Sequence, residues 1–343
     1  SARPQPPPRR PSGGRSRRSR QRRRRPVRNF LRVVLLLLVA WVVFVIATPI
    51  YAWSNLTHVD AMPTGERPPT QPGQLWLLVG SDSREGLSAE ERETLGTGDT
   101  EGRRTDTVLL LYAPPWGGDP ALISIPRDSY VDIPGYQRNK INAAYAFGGA
   151  PLLIETVELN TGLRVDHYAE MGFGGFVNVI DALGGIEMCP ANAINDKFSR
   201  LDIPAACQEM DGVTALGYVR MRYADPRGDL GRMERQREMI AGMVDKAASP
   251  AKVLNPVRWW QLNTAAASAL QVDEDTGLFT LAGLARPMAK LGSGDGYEVM
   301  VPVSSPNTST SVGSVMIWDQ ERAEAMFAAI RSGSTANFEQ YAG

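Results

Sequence analysis

The 343-residue chain is 43% hydrophobic, so it can bury a sizeable core and is not disordered throughout. Its formal net charge is zero, but 13 of its 37 basic residues are arginines between Arg3 and Arg32, ahead of the first acidic residue, Asp60. The remainder therefore carries 24 basic against 37 acidic residues, which excludes a generally basic nucleic-acid-binding protein.

An unbroken apolar run over residues 33–47 separates the basic tail from the acidic remainder. With its apolar flanks it reaches about 20 residues, enough for a helix across a hydrocarbon core of about 30 Å. We predict a single-pass signal-anchor helix over 31–53 in the plasma membrane. The positive-inside rule places a disordered, Arg-rich tail (1–30) in the cytoplasm, bound to membrane lipid and not to nucleic acid, and the rest outside. A cleaved signal peptide is the alternative, although no clear Ala-x-Ala site follows.

After a linker over 54–73, apolar runs bounded by turn residues predict strands, and amphipathic stretches predict helices. The predicted strands are 75–79, 106–112, 121–125, 167–171, 297–303 and 314–317, with a polar loop at 88–102. The predicted helices are 142–147, 151–160, 173–183, 212–219, 232–246, 256–270, 276–291 and 321–331. This alternation predicts a three-layer α/β/α domain with a central mixed sheet. We assign 74–250 to the main domain and 251–343 to an extension packed on it.

The two cysteines, Cys189 and Cys207, both lie in the outer part. They do not form Cys-x-x-Cys, and His58 and His167 do not complete a zinc-binding spacing. In an oxidising exterior we predict a disulfide between them, with two buried free thiols as the alternative.

Several motifs of nucleophilic and nucleotide chemistry are absent from the sequence. It has no Gly-x-Ser-x-Gly, no P-loop and no Gly-x-Gly-x-x-Gly after a predicted strand. A Ser-His-Asp catalytic triad would have one candidate general base away from the membrane, His167. His167 lies in a predicted strand, and we interpret it as a packed or surface residue.

Arginine and aspartate are instead grouped at the ends of predicted strands and in turns. The grouped residues are Asp82, Arg84, Arg103, Arg104, Asp106, Arg127, Asp128, Lys140, Arg220, Arg222, Arg227, Asp229, Arg232, Arg235 and Arg237. One reading is a set of solvated ion pairs, each contributing about 0–1 kcal/mol. The other is a polyanion site, because arginine binds phosphate oxygens bidentately. Asp82 and Asp106, on adjacent strand ends, would then hold Mg²⁺ beside the phosphates, as in phosphoryl transfer.

A series of motifs then resembles the LytR-CpsA-Psr family over residues 75–247. The motifs are Gly-Ser-Asp-Ser-Arg (80–84), Arg-Thr-Asp-Thr-Val (104–108), Ser-Ile-Pro-Arg-Asp-Ser-Tyr-Val (124–131), Lys-Ile-Asn-Ala-Ala-Tyr (140–145), Asp-Ala-Leu-Gly-Gly-Ile (181–186), Val-Arg-Met-Arg (219–222) and Asp-Leu-Gly-Arg-Met-Glu-Arg-Gln (229–236). Each motif is weak alone, and their number and order carry the resemblance. Residues 85–102 form a longer insertion than in many relatives.

The resemblance implies an extracytoplasmic transferase, with 74–250 as its catalytic domain. Such enzymes move a glycopolymer from a polyprenyl-diphosphate carrier to peptidoglycan and leave a phosphodiester. By motif, Asp82 and Asp106 resemble ligands of Mg²⁺ or Mn²⁺. The pyrophosphate-binding residues would be Arg84, Arg104, Arg127, Lys140, Arg220, Arg222, Arg232 and Gln236. The catalytic residues would be Asp82, Asp106, Arg127 and Asp229, the last orienting the arginines.

The prenyl tail of such a carrier needs an apolar slot. Phe173, Phe176, Val177 and Ile180 have helical spacing and would line it, although ordinary core packing explains the same stripe. High Arg, Ala and Gly usage with few Lys favours an actinobacterial wall and arabinogalactan as the polymer, with teichoic acid or capsule as alternatives. The rival functions are a Mg²⁺-dependent polyprenyl-pyrophosphatase and a non-catalytic lipid- or wall-binding module.

Overall fold

The computed structural model describes residues 24–82, 105–196, 199, 201–221, 229–249 and 254–341, and only the backbone of 24–26, 229, 230, 232, 233 and 248. The chain divides into two compact units, Ser1–Ala47 and Thr48–Gly343. Helix α1 (Arg24–Trp53) begins earlier than the predicted span, and its stretch Val27–Trp53 is long and apolar enough to cross a membrane. The predicted N-terminal apolar helix is thus confirmed, while residues 1–23 of the tail lie outside the described residues.

Fifteen strands and eight further helices are described in the second unit. The strands are β1 (Thr57–Val59), β2 (Gln74–Ser81), β3 (Thr105–Ala113), β4 (Ala121–Ile125), β5 (Tyr130–Val131), β6 (Asn139–Lys140), β7 (His167–Gly172), β8 (Ile186–Met188), β9 (Ile194–Asp196), β10 (Leu201–Ile203), β11 (Gln208–Met210), β12 (Leu270–Asp273), β13 (Tyr297–Met300), β14 (Val303–Thr310) and β15 (Gly313–Trp318). The helices are α2 (Ile141–Thr161), α3 (Phe173–Ala182), α4 (Gly212–Arg220), α5 (Asp229–Ala248), α6 (Pro256–Ala269), α7 (Leu278–Gly283), α8 (Ala285–Gly292) and α9 (Gln320–Arg331).

A seven-stranded mixed sheet in the order β1-β12-β7-β2-β3-β4-β13 forms the centre of the second unit. The pairs β1/β12, β7/β2 and β4/β13 are parallel, and the other neighbours are antiparallel. Strands β12 and β13 come from the C-terminal part of the chain. The predicted α/β fold with a mixed sheet is confirmed.

Both faces of the sheet are covered, which explains why β2 to β4 are nearly continuous apolar runs. On one face, Leu77 and Leu110 pack in a core with α2 and α9, to which Val157 and Phe327 belong. On the other face, Leu111 and other apolar side chains pack with residues of α5, α6, α7 and α8. A third cluster joins α3, α4 and α5 to the small strands β8 to β11.

Several predicted elements are wrong in detail. The predicted helix 276–291 is two helices, α7 and α8, because Pro287 cannot donate a hydrogen bond to the carbonyl of Gly283. The predicted linker 54–73 contains β1, which tertiary pairing with β12 creates. Strands β8 to β12 were not expected, since runs of three or four residues carry little periodicity. The predicted loop 88–102 lies outside the described residues.

The predicted disulfide between Cys189 and Cys207 is confirmed. It closes the segment that carries the antiparallel pair β9/β10 and joins the adjoining ends of β8 and β11. Both cysteines of the sequence are used, so the chain has no further thiol.

Gly175 allows α3 and α6 to approach with their backbones in contact. A Cβ at Gly175 would lie 2.8 Å from the Cα and the carbonyl oxygen of Ala269. We expect Gly175→Ala to lower the free energy of unfolding by about 1–3 kcal/mol, because backbone atoms cannot yield as a side chain can. Urea unfolding of the full chain in detergent measures the change.

Gly283→Ala is the matched control, because no atom lies within 4 Å of the Cβ position in this helical glycine. Alanine there should be neutral or stabilise by up to about 1 kcal/mol. Equal unfolding free energies for the two variants would contradict the close packing of α3 on α6.

Candidate active site

The strand directions bring four strand ends to one edge of the sheet. The C-terminal ends of β2, β4 and β7 and the N-terminal end of β3 meet there, since Ser81 pairs with both Thr105 and Gly172. Asp82 follows β2, Asp106 is the second residue of β3, and Arg127 follows β4 by two positions. Three separate motifs are therefore collected at this edge, hereafter the catalytic edge.

Asp106 occupies a β-bulge. Gly80 pairs with Thr107 and Ser81 pairs with Thr105, so Asp106 is an extra residue opposite the β2 ladder. Bulges turn a side chain away from the regular pleat and are common beside active sites. A Cβ at Gly80 would lie 3.0 Å from the Cβ of Thr107, so glycine fits the close strand contact next to the bulge.

A chain of charges runs along the catalytic edge. Arg127 Nη1 donates a hydrogen bond to Asp106 Oδ1. Arg127 Nε lies 3.5 Å from Asp128 Oδ2, and Lys140 Nζ donates to Asp128 Oδ1 at 2.6 Å. The side chains of Arg127 and Asp106 are 22% and 33% exposed, so the pair is partly desolvated yet open to a ligand. Carboxylates on two sides hold the Arg127 guanidinium in place.

The start of α2 fixes the segment that carries Arg127. The Asn142 amide donates to the Arg127 carbonyl at 3.3 Å, and the Ile141 amide donates to the Ser129 carbonyl at 2.9 Å. Lys140 does not line the cleft or the cavity described below, and it acts on Arg127 through Asp128. Its contact with Asp128 suits a positioning role, and the predicted role of Lys140 in binding pyrophosphate stays a prediction.

The first half of α2 is tied to the sheet beneath the edge by a buried carboxylate. The hydroxyls of Tyr145 and Tyr168 donate to Glu170 at 2.8 and 2.7 Å. Burial and the Glu170 charge raise the pKa of Tyr168, so this hydroxyl stays protonated and remains a donor. These bonds hold α2, and with it the Arg127 segment, in register with β7.

A polar cleft at the catalytic edge continues into an apolar cavity. Asp106, Arg127 and Gln236 line the cleft. Asp106 and Gln236 also line the cavity of about 310 Å³, with Arg220 at the same wall. Volumes of about 300–1,000 Å³ are typical of small-ligand sites. The molecule therefore offers charged groups at the mouth of an apolar space.

The walls of the cavity come from elements far apart in sequence. Phe173 and Phe176 of α3 line it, whereas Val177 and Ile180 pack in the core below. The remaining apolar wall comes from several helices and strands. The wall residues contributed by α5, α7, α8 and the turn between α7 and α8 are Met239, Ile240, Met243, Val244, Leu281, Leu284 and Met288. The sequence did not indicate these residues, because an apolar helix face looks the same whether it lines a core or a cavity.

The corner between α4 and α5 positions two of the predicted site residues. Arg235 is 4% exposed and donates to the Tyr218 carbonyl at 3.1 Å, so it caps the end of α4 and lines neither the cleft nor the cavity. Arg220, the last residue of α4, lies with its Cζ 4.8 Å from the centre of the Phe173 ring. Gln236 Nε2 lies 3.5 Å from the Val219 carbonyl.

Some predicted site residues lie outside the described part of the chain. These are Arg84, Arg104 and Arg222, and the side chains of Asp229 and Arg232. The described set thus brings together Asp106, Arg127, Arg220 and Gln236 around one cleft and cavity, with Asp82 at the neighbouring strand end.

The carboxylates at the catalytic edge fit a divalent ion that keeps most of its water. Asp82 and Asp106 stand on adjacent strand ends, and Mg²⁺ is commonly held by one or two carboxylates plus substrate phosphates. Among the described residues, no group of three or more His, Cys, Asp or Glu side chains forms a complete metal cage. Asp82 and Asp106 are the described carboxylates at this edge that would hold such an ion.

His167 has a structural role away from the cleft and the cavity. Its ring packs on Trp76 at 4.5 Å, and its Nδ1 lies 3.0 Å from Thr276 Oγ1. The Thr276 hydroxyl donates to Asp273, which is fully buried and also accepts from the Tyr168 amide at 2.9 Å. This cluster links β7 to β12, as expected for a packed histidine.

Asp273 gives a pH-dependent contribution to stability. Burial alone would raise its pKa, but the nearby His167 imidazole, 3.7 Å away, and the hydrogen bonds from Thr276 and the Tyr168 amide outweigh burial and lower the pKa. Since the folded pKa is below the unfolded value of about 3.9, the contribution is complete above that pH and is lost as the pH falls through the folded pKa.

We expect Asp273→Asn to lower the unfolding free energy at pH 6 and to flatten its decline below about pH 4, where the Asp273 contribution is lost. Urea unfolding at stepped pH measures both. Asp202→Asn, an exposed position on β10, is the control and should leave the profile unchanged. A parallel decline in the wild type and Asp273→Asn would refute the assignment.

The sequence is similar to one family of proteins and to several curated members of it. The profile of the LytR_cpsA_psr family matches residues 64–331. The chain is 46% identical over 330 residues to the probable cell wall biosynthesis protein LcpB of Corynebacterium glutamicum, covering 96% of this chain and 77% of that protein. It is 38% identical over 182 residues to the polyisoprenyl-teichoic acid–peptidoglycan teichoic acid transferase TagU of Enterococcus faecalis, covering 53% of this chain and 58% of that protein.

Solved structures share the fold. The LytR-Csp2A-Psr enzyme from Actinomyces oris matches with a TM-score of 0.61 at 24% identity, covering 82% of this chain and 96% of that one. At this identity the match bears on the fold alone. The sequence matches bear on the family, and the chain spans little more than half the length of the teichoic acid transferase.

Proposed function

The chain belongs to the LytR-CpsA-Psr family, and from this premise we propose that it transfers a glycopolymer from a polyprenyl-diphosphate carrier to peptidoglycan through a phosphodiester. It is a transferase, in line with its relatives in the family. The observation that carries the proposal is the continuity of the Asp106–Arg127 cleft with the apolar cavity. A diphosphate joined to a prenyl chain has the same division into charged and apolar parts.

In the proposed reaction, a peptidoglycan hydroxyl attacks the phosphorus attached to the glycopolymer. A new P–O bond forms, the bond between the two phosphates breaks, and prenyl phosphate leaves. Arg127 and Arg220 bind the phosphate oxygens, and Asp106 or Asp82 accepts the hydroxyl proton. Catalysis rests on positioning and charge neutralisation and needs no covalent enzyme intermediate.

Mg²⁺ or Mn²⁺ would be held by Asp82 and Asp106 and would supply further positive charge at the diphosphate. The chain's own residues keep the arginines fixed, through the Asp106 and Asp128 contacts to Arg127. The cavity excludes water from the prenyl chain.

We propose arabinogalactan as the polymer. High Arg and Ala usage and the 46% identity to a Corynebacterium protein support an actinobacterial wall, in which this polymer is joined to peptidoglycan. We further propose that α1 anchors the chain with its N-terminus in the cytoplasm and the catalytic domain outside. The basic residues ahead of the apolar span support this orientation.

One experiment separates the proposal from its rivals. The full-length chain in detergent receives a polyprenyl-diphosphate-linked glycan, peptidoglycan and Mg²⁺, with a matched sample in chelator. Glycan linked to peptidoglycan is the expected product. Prenyl phosphate or inorganic phosphate without linked product would indicate a pyrophosphatase, and unchanged substrate that stays bound would indicate a binding module.

A further inference from the structure

Helix α6 presents an exposed apolar stripe at its N-terminal half. Val257 and Trp260 lie three residues apart in α6, so they share one side of the helix, and Leu254 precedes the helix, directly before the N-cap residue Asn255. The side chains of Leu254, Val257 and Trp260 are 69%, 63% and 40% exposed. The helix is well formed at this end, because the Asn255 side chain accepts hydrogen bonds from the amides of Val257 and Arg258 at 3.0 and 3.2 Å. The exposed stripe is thus a fixed surface and not a frayed end.

The stripe is continuous with the outer end of the apolar helix α1. Tyr51, in the last turn of α1, stacks on Trp260 with ring centres 5.0 Å apart, and half of the Tyr51 side chain is exposed. Tyrosine and tryptophan are enriched where a protein crosses the membrane–water interface. No acidic residue occurs between Leu254 and Val272, and Arg258 is exposed beside the stripe, which suits anionic headgroups.

The sheet register places the catalytic edge on the same side as this surface. Strand β1 begins at Thr57, a few residues after α1 ends, and pairs in parallel with β12. The start of β12 pairs with the end of β7 (Leu270 with Met171), and the end of β7 pairs with the end of β2 (Gly172 with Ser81). The edge at which the chain enters the sheet from α1 is therefore the edge that carries the cleft.

We propose that the N-terminal half of α6 lies in the outer membrane–water interface and seats the catalytic domain on the bilayer beside its anchor. This rests on the proposed anchoring by α1 and on the proposed carrier. The C-terminal end of α6 packs on α3 through the contact of Ala269 with Gly175, and α3 contributes Phe173 and Phe176 to the cavity. One helix thus connects the bilayer surface to the wall of the cavity, so a prenyl chain moves between them along an apolar surface.

Site-directed spin labels test the position of α6 directly. Both native cysteines are in the disulfide, so a single introduced cysteine is the sole thiol. Three full-length variants are labelled in vesicles of phosphatidylglycerol and phosphatidylethanolamine: Val257→Cys, Leu37→Cys within α1, and Trp116→Cys. Trp116 is a matched control, since it is also apolar, is fully exposed and follows β3 at the opposite edge of the sheet. Collision of each label with oxygen, which dissolves in lipid, is compared with collision with a water-soluble nickel chelate.

The expected result is that labels at 257 and 37 are reached by oxygen and shielded from the nickel chelate, whereas the label at 116 is reached by the chelate. A label at 257 as open to the chelate as the one at 116, with 37 in lipid, would overturn the seating of α6 and leave the anchoring intact. A label at 37 open to the chelate would overturn the anchoring itself.

A functional comparison uses the same surface. Val257→Asp should lower turnover of a long-chain carrier in the bilayer severalfold and leave turnover of a short-chain, water-soluble carrier unchanged, because Val257 does not line the cleft or the cavity. Equal turnover of the long-chain carrier by Val257→Asp and wild type would overturn the inference. Reduced turnover of both carriers by Val257→Asp would also overturn the inference, because it would show that the substitution damages the catalytic site.

Discussion

Asp106→Asn is expected to lower the rate of glycopolymer transfer by about 10²–10⁴-fold while the fold persists. The substitution keeps the size of the side chain and removes its charge. The bulge aims Asp106 into the cleft, where it holds Arg127 and lies beside the other carboxylate of the catalytic edge, Asp82. One change therefore removes the counter-charge of the arginine, a ligand for the divalent ion and a candidate proton acceptor. Steady-state formation of glycan-linked peptidoglycan measures the loss.

The matched control for this prediction is Asp132→Asn. Asp132 is 64% exposed and lies 3.4 Å from Arg138 in a surface pair, a type of contact that contributes about 0–1 kcal/mol. Its activity should equal that of the wild type, and both variants should unfold within a few degrees of it. Full activity of Asp106→Asn in the presence of a chelator would remove Asp106 from all three proposed roles.

Arg127→Ala is expected to lower transfer by about 10³-fold, the scale on which a phosphate-stabilising arginine acts. Arg127→Lys should lose less, because lysine keeps the charge but not the planar fork that binds two oxygens. If Arg127 acts on the transition state, kcat falls more than KM rises. Initial rates over a range of carrier concentrations, at fixed peptidoglycan, separate the two constants.

Arg138→Ala serves as the control for the arginine series. Arg138 is 47% exposed, lies 4.7 Å over the Tyr130 ring and bonds the Tyr130 carbonyl at the surface hairpin. Its loss should leave kcat and KM unchanged. A higher carrier dissociation constant in Arg127→Ala, with no transfer by the wild type under any condition, would instead favour the non-catalytic binding module.

The two sets of variants also test how the site is held together. Asp106, Arg127, Asp128 and Lys140 form one chain of contacts, so their effects should not add. Lys140→Ala should act through Asp128 and Arg127 and lose its effect when Arg127 is already alanine. An additive double variant would place Lys140 in direct contact with substrate, as the motif comparison suggests.

How far the sequence predicted this protein depends on the length of the pattern involved. The predicted ends of strands β2, β3, β4 and β7 lie within two residues of the observed ends. Each of these strands is a run of apolar residues bounded by turn residues, which is why the sequence predicts it. The kink of α2 at Gly148 and Gly149 was also foreseen as a boundary between two helices. Strands of three residues such as β1 were missed, because they exist only through pairing with a distant strand.

The sequence by itself determined the N-terminal apolar helix, the α/β class, the disulfide and the types of residue at the strand ends, because these follow from composition and from patterns local to the chain. Only the tertiary structure decided that Asp106 sits in a bulge, that Asp128 links Lys140 to Arg127, and that Arg235 caps a helix. It alone also decided that the walls of one cavity are built from α3, α5, α7 and α8. Such features depend on the register between strands and on the packing of helices distant in sequence. Local patterns of residues along the chain predict neither of them.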